Sequence, residues 1–521
     1  MRLLSRNRQD RMSFVRVPRR VSYWIGSLLA LCISSAEAST PWVPTGDLAA
    51  RHHIEALQTQ GCLKGLSLTW PMSWAAVMKA WRQGQQQLSD SQAKACEISN
   101  HYQYLQTAEN SARANTRGVT LSLGGANQEP LYTTFDTQPE DTVTGQVALY
   151  ATGQHWSGRL AVGYADGERD DQHLRFDDSY IAGVVGNWQL GVGAIDRWWG
   201  PGWQSSLALS NNARPVPGIW LSRHMLTAPE SRWLRWVGPW DLQLIAGQLE
   251  HDRAIPDAKV LGARFVFQPL DSLQIGLSRL AQWGGEGRPQ DLDAFFDAFI
   301  GKDNGESSGF DDDDDPSNQI AGVDFRVSLT PWDVPVGLYG QFMGEDEAGG
   351  LPSKLSSLAG FDLVSSLGHG SQRWFVEATE TVAGSWISER RFNTMYEHGT
   401  YKSGFRYHGR NMASTWEGDA RAVTFGIQQY FRSDVTVALH LSQATLNQEG
   451  VVRAQVPDDG YPVLQSLEEQ DVALAELRIA HPLLGGTFHW LLSASDEPIV
   501  TPFEERERWT AGAQWTRDFA W

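Results

Sequence analysis

Cysteine is scarce in this chain, three residues in 521, and only Cys62 and Cys96 lie beyond the first forty positions. That excludes a cysteine-dense secreted scaffold, and no neighbouring Cys or His cluster completes a tetrahedral zinc set. In an oxidising compartment such a pair reads as one structural disulfide. Positive charge is short as well: 43 Lys and Arg stand against 61 Asp and Glu, a net charge of −18. Seven of those arginines but only two acidic residues fall within positions 1–38, so the remainder is more acidic still. A surface of that sign repels phosphate backbones and disfavours nucleic-acid binding. No second long apolar run follows the first one, and no Pro/Ser linker divides the chain. The zincin signature H-E-x-x-H does not occur.

Two features at the ends of the sequence carry information. Arg2, Arg6, Arg8, Arg11, Arg16, Arg19 and Arg20 precede an apolar run from Val21 to Ile33, and Ala36-Glu37-Ala38 supplies a small-residue cleavage motif. This is the grammar of a secretory signal over residues 1–38 rather than of a spanning helix, for which the run is short. At the other end Trp509, Ala511, Ala513, Trp515, Phe519 and Trp521 keep a period of two. A terminal strand with one apolar face and aromatic ends suits a closed membrane barrel, where lipid offers no partner to an unpaired N–H.

Between these ends the periodicity changes once. Trp74, Val77, Met78 and Trp81 recur at helical spacing, Asp47 is placed to cap a helix carrying Leu48, Ile54 and Leu57, and a third helix is expected from about Ser91 to Ala112. Residues 39–115 therefore read as a periplasmic helical segment that plugs or braces a barrel formed by 116–521, or that packs beside it for stability alone. From about Gly118 apolar and polar residues alternate, as in Trp156, Leu160, Val162 and Tyr164 against Ser157, Arg159 and Ala161, or Val435, Val437, Leu439 and Leu441 against Thr436, His440 and Ser442. This is lipid-out, lumen-in patterning, and the fold class is an all-β transmembrane barrel. Segments 284–318 and 344–370 are Gly- and acid-rich and read as outward loops.

The densest motif is Asp196-Arg197-Trp198-Trp199-Gly200-Pro201-Gly202-Trp203-Gln204-Ser205-Ser206, continuing through Ser210-Asn211-Asn212-Ala213-Arg214-Pro215-Val216-Pro217. It resembles the hallmark segment of the capsule assembly Wzi family. Tyr339-Gly340-Gln341 with Gly344-Glu345-Asp346-Glu347-Ala348-Gly349-Gly350-Leu351-Pro352, Tyr407-His408-Gly409-Arg410 and Thr69-Trp70-Pro71 are similar to further segments of the same family. The resemblance spans nearly the whole chain after residue 38. It implies an outer-membrane barrel of about 18 antiparallel strands with a small N-terminal α-helical bundle, loops that occlude the lumen, and capsular or exopolysaccharide as the partner. No cofactor and no metal are implied.

The physical chemistry of the hallmark supports two readings. Indoles stack on sugar C–H faces and amides and guanidinium groups match hydroxyls and carboxylates, which makes Arg197, Trp199, Trp203, Asn211, Asn212 and Arg214 a lectin-like set. The same residues also suit a strand corner whose arginines pair with lumen carboxylates. Glu345, Asp346 and Glu347 form an acidic loop candidate, but adjacent carboxylates rarely flank one glycosidic bond as hydrolysis requires. Asp311 to Asp315 lack the pattern of an EF-hand and read as a solvated acidic loop, with cation binding the alternative. Arg159, Gln146 and His440 on polar strand faces suit a wet porin lumen or a filled one equally. A monomer in outer-membrane lipid that organises polysaccharide without enzymatic activity is the expectation; a channel and a hydrolase are its rivals.

Overall fold

The computed structural model describes residues 41–111, 116–167, 170, 172–290, 317–345, 354–366, 370–384, 389–455 and 463–521. Residues 1–38, Asp311 to Asp315, Asp346 and Glu347 lie outside them. Among the described residues the chain forms a closed antiparallel barrel of 18 strands. Leu174–Arg175 and Tyr180–Val185 both pair with Trp156–Asp166 and act as two pieces of one strand. Trp509–Ala520 closes the ring against Arg117–Ala126, in a register running from Gly512 opposite Ala126 to Ala520 opposite Gly118. Closure removes every edge, which a lipid environment demands.

The alternation seen in the sequence becomes an inside and an outside. Along Trp156–Asp166 the side chains of Trp156, Leu160, Val162 and Tyr164 are exposed while Ser157, Ala161 and Ala165 are buried. Leu149, Ile181, Leu190, Val192, Ile219, Val423 and Leu441 join them in an outward apolar belt. A soluble protein does not expose so continuous an apolar surface, whereas lipid tails cover it. At one end the strands are joined by short connections such as 186–187, 271–272 and 484–485. At the other end 194–217, 381–420 and 447–469 are long, the asymmetry by which outer-membrane barrels distinguish periplasmic turns from surface loops.

Among the described residues four helices precede the first barrel strand, Arg117–Ala126. Leu48–Thr59 (α1) begins at Asp47, whose carboxylate accepts the Ala50 N–H at 2.8 Å. Trp74–Gln85 (α2) buries Trp74, Val77 and Trp81. The single third helix expected over 91–112 is two, Asp90–Glu97 (α3) and Asn100–Ser111 (α4). The break falls at Ser99, whose hydroxyl donates to the Cys96 carbonyl and accepts the Tyr102 N–H at 3.2 Å, ending one helix and starting the next. A disulfide joins Cys62, just beyond α1, to Cys96 in α3, with Cα atoms 5.8 Å apart. Apart from Ala49, α1 is buried throughout, because it lies inside the barrel rather than beneath it.

Candidate functional site

The lumen is filled from two sides, by α1 and by the long connection 194–217, and buried charge holds both to the wall. Arg51 of α1 bonds Glu55 at 3.0 Å and donates to the Pro201 carbonyl at 2.8 Å. Glu55 also faces Arg326 of strand Ser317–Leu329 at 3.2 Å. Arg326 in turn bonds Asp362 at 2.6 Å, and Asp362 is shared with Arg373. Every member of this chain of three arginines and two carboxylates is buried. A buried charge is tolerable only when its neighbours neutralise it, so helix, wall and hallmark stand or fall together. A second anchor uses Arg264, whose guanidinium takes both oxygens of Asp324 at 2.8 and 2.9 Å and donates to Thr69 Oγ1 and the Leu68 carbonyl at 2.7 Å. Sequence spacing gave no hint of these pairings, since the partners lie far apart in the chain.

The hallmark residues lie within this packed interior. Trp203 is fully buried between two guanidinium groups, Arg51 at 4.1 Å and Arg373 at 4.2 Å from its ring centre. Trp199 is fully buried, and its indole N–H donates to Gln243 at 3.3 Å. Arg197 donates to the Ile195 carbonyl and lies 5.3 Å from the Trp220 ring. Asn212 donates to the Asn411 carbonyl at 3.1 Å, and half-buried Asn211 reaches the Phe135 carbonyl at 3.4 Å. Arg214 is enclosed by Asp170 at 2.7 Å and by both oxygens of Asp177 at 2.8 and 3.1 Å. Burial alone would raise the Asp170 carboxyl, but Arg214 and Arg175 outweigh it and hold it down at about 2.

The three motif segments converge on one another. The Glu377 carboxylate on the wall accepts the backbone N–H groups of Trp203 at 2.7 Å and Ser205 at 2.9 Å, and Tyr339 donates its hydroxyl to the same group at 3.1 Å. Gln341 accepts the Leu207 N–H at 2.8 Å and donates to the Trp199 carbonyl at 2.9 Å. A Cβ at Gly202 would sit 2.1 Å from the Ser205 carbonyl, so only glycine permits this turn. Arg410 grips Glu129 at 2.7 and 2.9 Å and meets Asn212 at 3.4 Å. Above the hallmark, residues 389–420 form a lid: Thr415 donates its N–H to Ser205 and its hydroxyl to the Gln204 carbonyl, and Tyr396 donates to the Leu207 carbonyl. Polar wall residues are engaged likewise. His440 meets Gln204 at 2.8 Å, Arg159 donates to Thr120 at 3.0 Å, and Gln146 donates to the Asp177 carbonyl at 3.2 Å.

His52, His53 and His101 gather between α1 and α4, close enough for one ion to reach all three. His53 and His101 meet through their Nδ1 atoms at 2.8 Å. His52, however, accepts the Arg373 Nε–H at 3.2 Å on Nδ1 and meets Ser371 at 2.9 Å through Nε2. Its lone pair is committed to a cation's N–H, so the trio does not offer three free ligands. Burial holds His52 and His53 well below the usual imidazole range and His101 down at about 4. Glu345 ends strand Val336–Glu345 opposite Lys354.

Residues 112–509 match the family described as capsule assembly protein Wzi. The chain belongs to the Wzi family. It is 35% identical, over 70% of its own length and 69% of the relative's, to an uncharacterised 55.8 kDa protein in the cps region of Klebsiella pneumoniae. It is also similar to a solved structure of Wzi from Escherichia coli, an outer-membrane protein involved in group 1 capsule assembly and a carbohydrate-binding β-barrel. That likeness has a TM-score of 0.76 at 25% identity and covers 91% of this chain and 99% of that one. Together with the apolar belt, membership of the Wzi family makes this chain an outer-membrane barrel.

Proposed function

We propose that this protein binds capsular or exopolysaccharide at the cell surface and arranges it there as a monomer, without enzymatic activity. The observation that carries this reading is the filled lumen. Arg51, Glu55, Arg326, Asp362 and Arg373 are consumed in bolting α1 to the wall, and the lid and hallmark occupy the outer half. A porin needs a wet path between these groups; here ion pairs link them to one another. The work of such a barrel belongs to its long loops, and the carbohydrate binding of the Escherichia coli relative supplies the ligand class. Weak sites repeated on neighbouring copies would hold one polymer chain firmly. In this reading the hallmark positions the loops rather than touching sugar.

Deleting the gene tests the proposal. Cell-bound polysaccharide should fall, free polysaccharide should rise, and the total should stay level; loss of total synthesis would overturn it. Purified protein should also retain washed capsule on a column and show no steady single-channel conductance in planar bilayers.

A further inference from the structure

One connection at the short-turn end departs from its neighbours. Segment 224–239, between strands Gly218–Arg223 and Trp240–Gln248, is far longer than 186–187, 271–272 or 484–485. It spends that length on exposed aromatic residues and on two exposed arginines set against one exposed glutamate, Glu230. Trp233 is 86% exposed and Trp236 63%, Leu234 stands out beside them, and Arg232 and Arg235 are exposed in the same turn.

The start of the segment stays at the mouth, where His224 meets Ser73 at 3.3 Å and Leu226 packs on Leu66, Leu68 and Val266, and the remainder turns outward. Arg264, Val266 and Gln268 of strand Lys259–Leu270 face the lumen, so Phe265 and Phe267 between them face lipid. Trp236 meets Phe267 edge-on at 6.2 Å, Phe267 stacks with Phe265 at 5.5 Å, and Phe265 meets Trp240 at 5.9 Å. The Arg223 guanidinium lies 3.7 Å from the Trp240 ring centre and donates to the Thr227 carbonyl, pinning the base of the turn to the same outer face. The apolar belt thus continues unbroken into the turn. On the same rim, Trp332 in connection 330–335 is 93% exposed.

We infer that segment 224–239 is a lipid-binding hook: Trp233 and Trp236 lie in the interface of the periplasmic leaflet, and Arg232 and Arg235 hold the phosphates of anionic phospholipid headgroups. Indoles favour that depth because their rings are apolar and their N–H groups want a partner. Guanidinium groups pair with phosphate bidentately and are drawn to an anionic surface. The inference rests on the orientation of the barrel and not on what the outer loops bind.

The test uses full-length protein carrying Cys32→Ser and Trp233→Cys with a nitroxide at 233, since Cys62 and Cys96 are bridged. Reconstituted in vesicles of phosphatidylcholine with phosphatidylglycerol, the label should favour collision with oxygen over a water-soluble nickel chelate, as a group at interface depth does. In the unlabelled protein, the preference for spin-labelled phosphatidylglycerol over phosphatidylcholine should fall about fivefold per arginine in Arg232→Gln and Arg235→Gln. A label at 233 that favours the nickel chelate places the turn in the aqueous periplasm, available to a protein instead, and overturns the inference. Unchanged lipid preference in the double arginine variant overturns it as well. Heat-modified migration on gels reports whether each variant is folded.

Discussion

Glu377 holds Trp203 by its backbone: the wall carboxylate accepts the Trp203 N–H at 2.7 Å, and the next-but-one N–H, of Ser205, at 2.9 Å. Glu377→Gln keeps the size and removes the charge, leaving buried donors under-satisfied. The expected cost is about 2–3 kcal/mol, because hydrogen bonds to a charged acceptor exceed neutral ones. It is read as a lower urea midpoint for the loss of heat-modifiable migration. An unchanged midpoint would show that the turn is held by other contacts.

Trp199 and Trp203 are the sharper test of the hallmark. Replacing both by Ala opens a cavity next to Arg51 and Arg373 and should cost at least about 3–5 kcal/mol, the usual penalty for one large buried aromatic. Folded yield should drop first, and the folded fraction should bind polymer as the parent does. Normal yield with abolished binding in Trp199→Ala would return the hallmark to direct sugar contact.

Arg214→Gln leaves Asp177 without this cation and Asp170 with Arg175 alone, at 3.3 Å. At neutral pH the expected loss is on the order of 3–5 kcal/mol. The Asp170 carboxyl sits at about 2 in the fold, below its ordinary 3.8. Its contribution is therefore complete above about pH 4 and lost as pH falls toward 2. The gap between parent and variant should narrow steadily as pH falls from about 4 toward 2; a gap as wide at pH 2 as at pH 7 would contradict the pairing.

Asp136 has the opposite sign. Burial pushes its carboxyl up to about 7, so the folded state holds a proton that the unfolded state has released. Stability from this group is greatest below about pH 4, declines as pH rises toward 7, and is flat beyond. Asp136→Asn should be more stable than the parent at pH 8 and equal to it at pH 4, measured by urea titration at both values. Equal stability at both would remove Asp136 as a pH-sensitive element.

Cys62→Ser with Cys96→Ser should lower stability by about 3–4 kcal/mol in the chain-entropy model, and loosen α3 before the wall. Hydrogen exchange under native conditions would register the difference in α3. Equal exchange in both proteins would assign the bridge no stabilising role.

The sequence made the wall legible because a strand in lipid must alternate, and Trp156 to Tyr164 or Val437 to Leu441 do so without interruption. Helix α1 was legible from Asp47 and its apolar spacing. The filling of the lumen was not. Arg326, Asp362 and Arg373 are inward polar positions that look the same whether they meet water or one another, and periodicity carries no record of partners hundreds of residues apart. The break at Ser99 was missed because Ser caps a helix only when the preceding one ends there. Tyr339, Gln341 and Arg410 stood out as motifs, while their common task of holding the hallmark emerged only from the hydrogen bonds.

The partners of α1 bear on how the barrel can be assembled. Arg51 and Glu55 are made before any barrel strand, yet Arg326, Asp362 and Arg373 come more than 260 residues later, and the ring is not sealed until Trp509–Ala520 meets Arg117–Ala126. A helix whose exposed ends would have to be threaded into a finished cylinder, losing the water around five charged groups on the way, faces a barrier that a growing wall does not. A wall that closes around the helix avoids that cost.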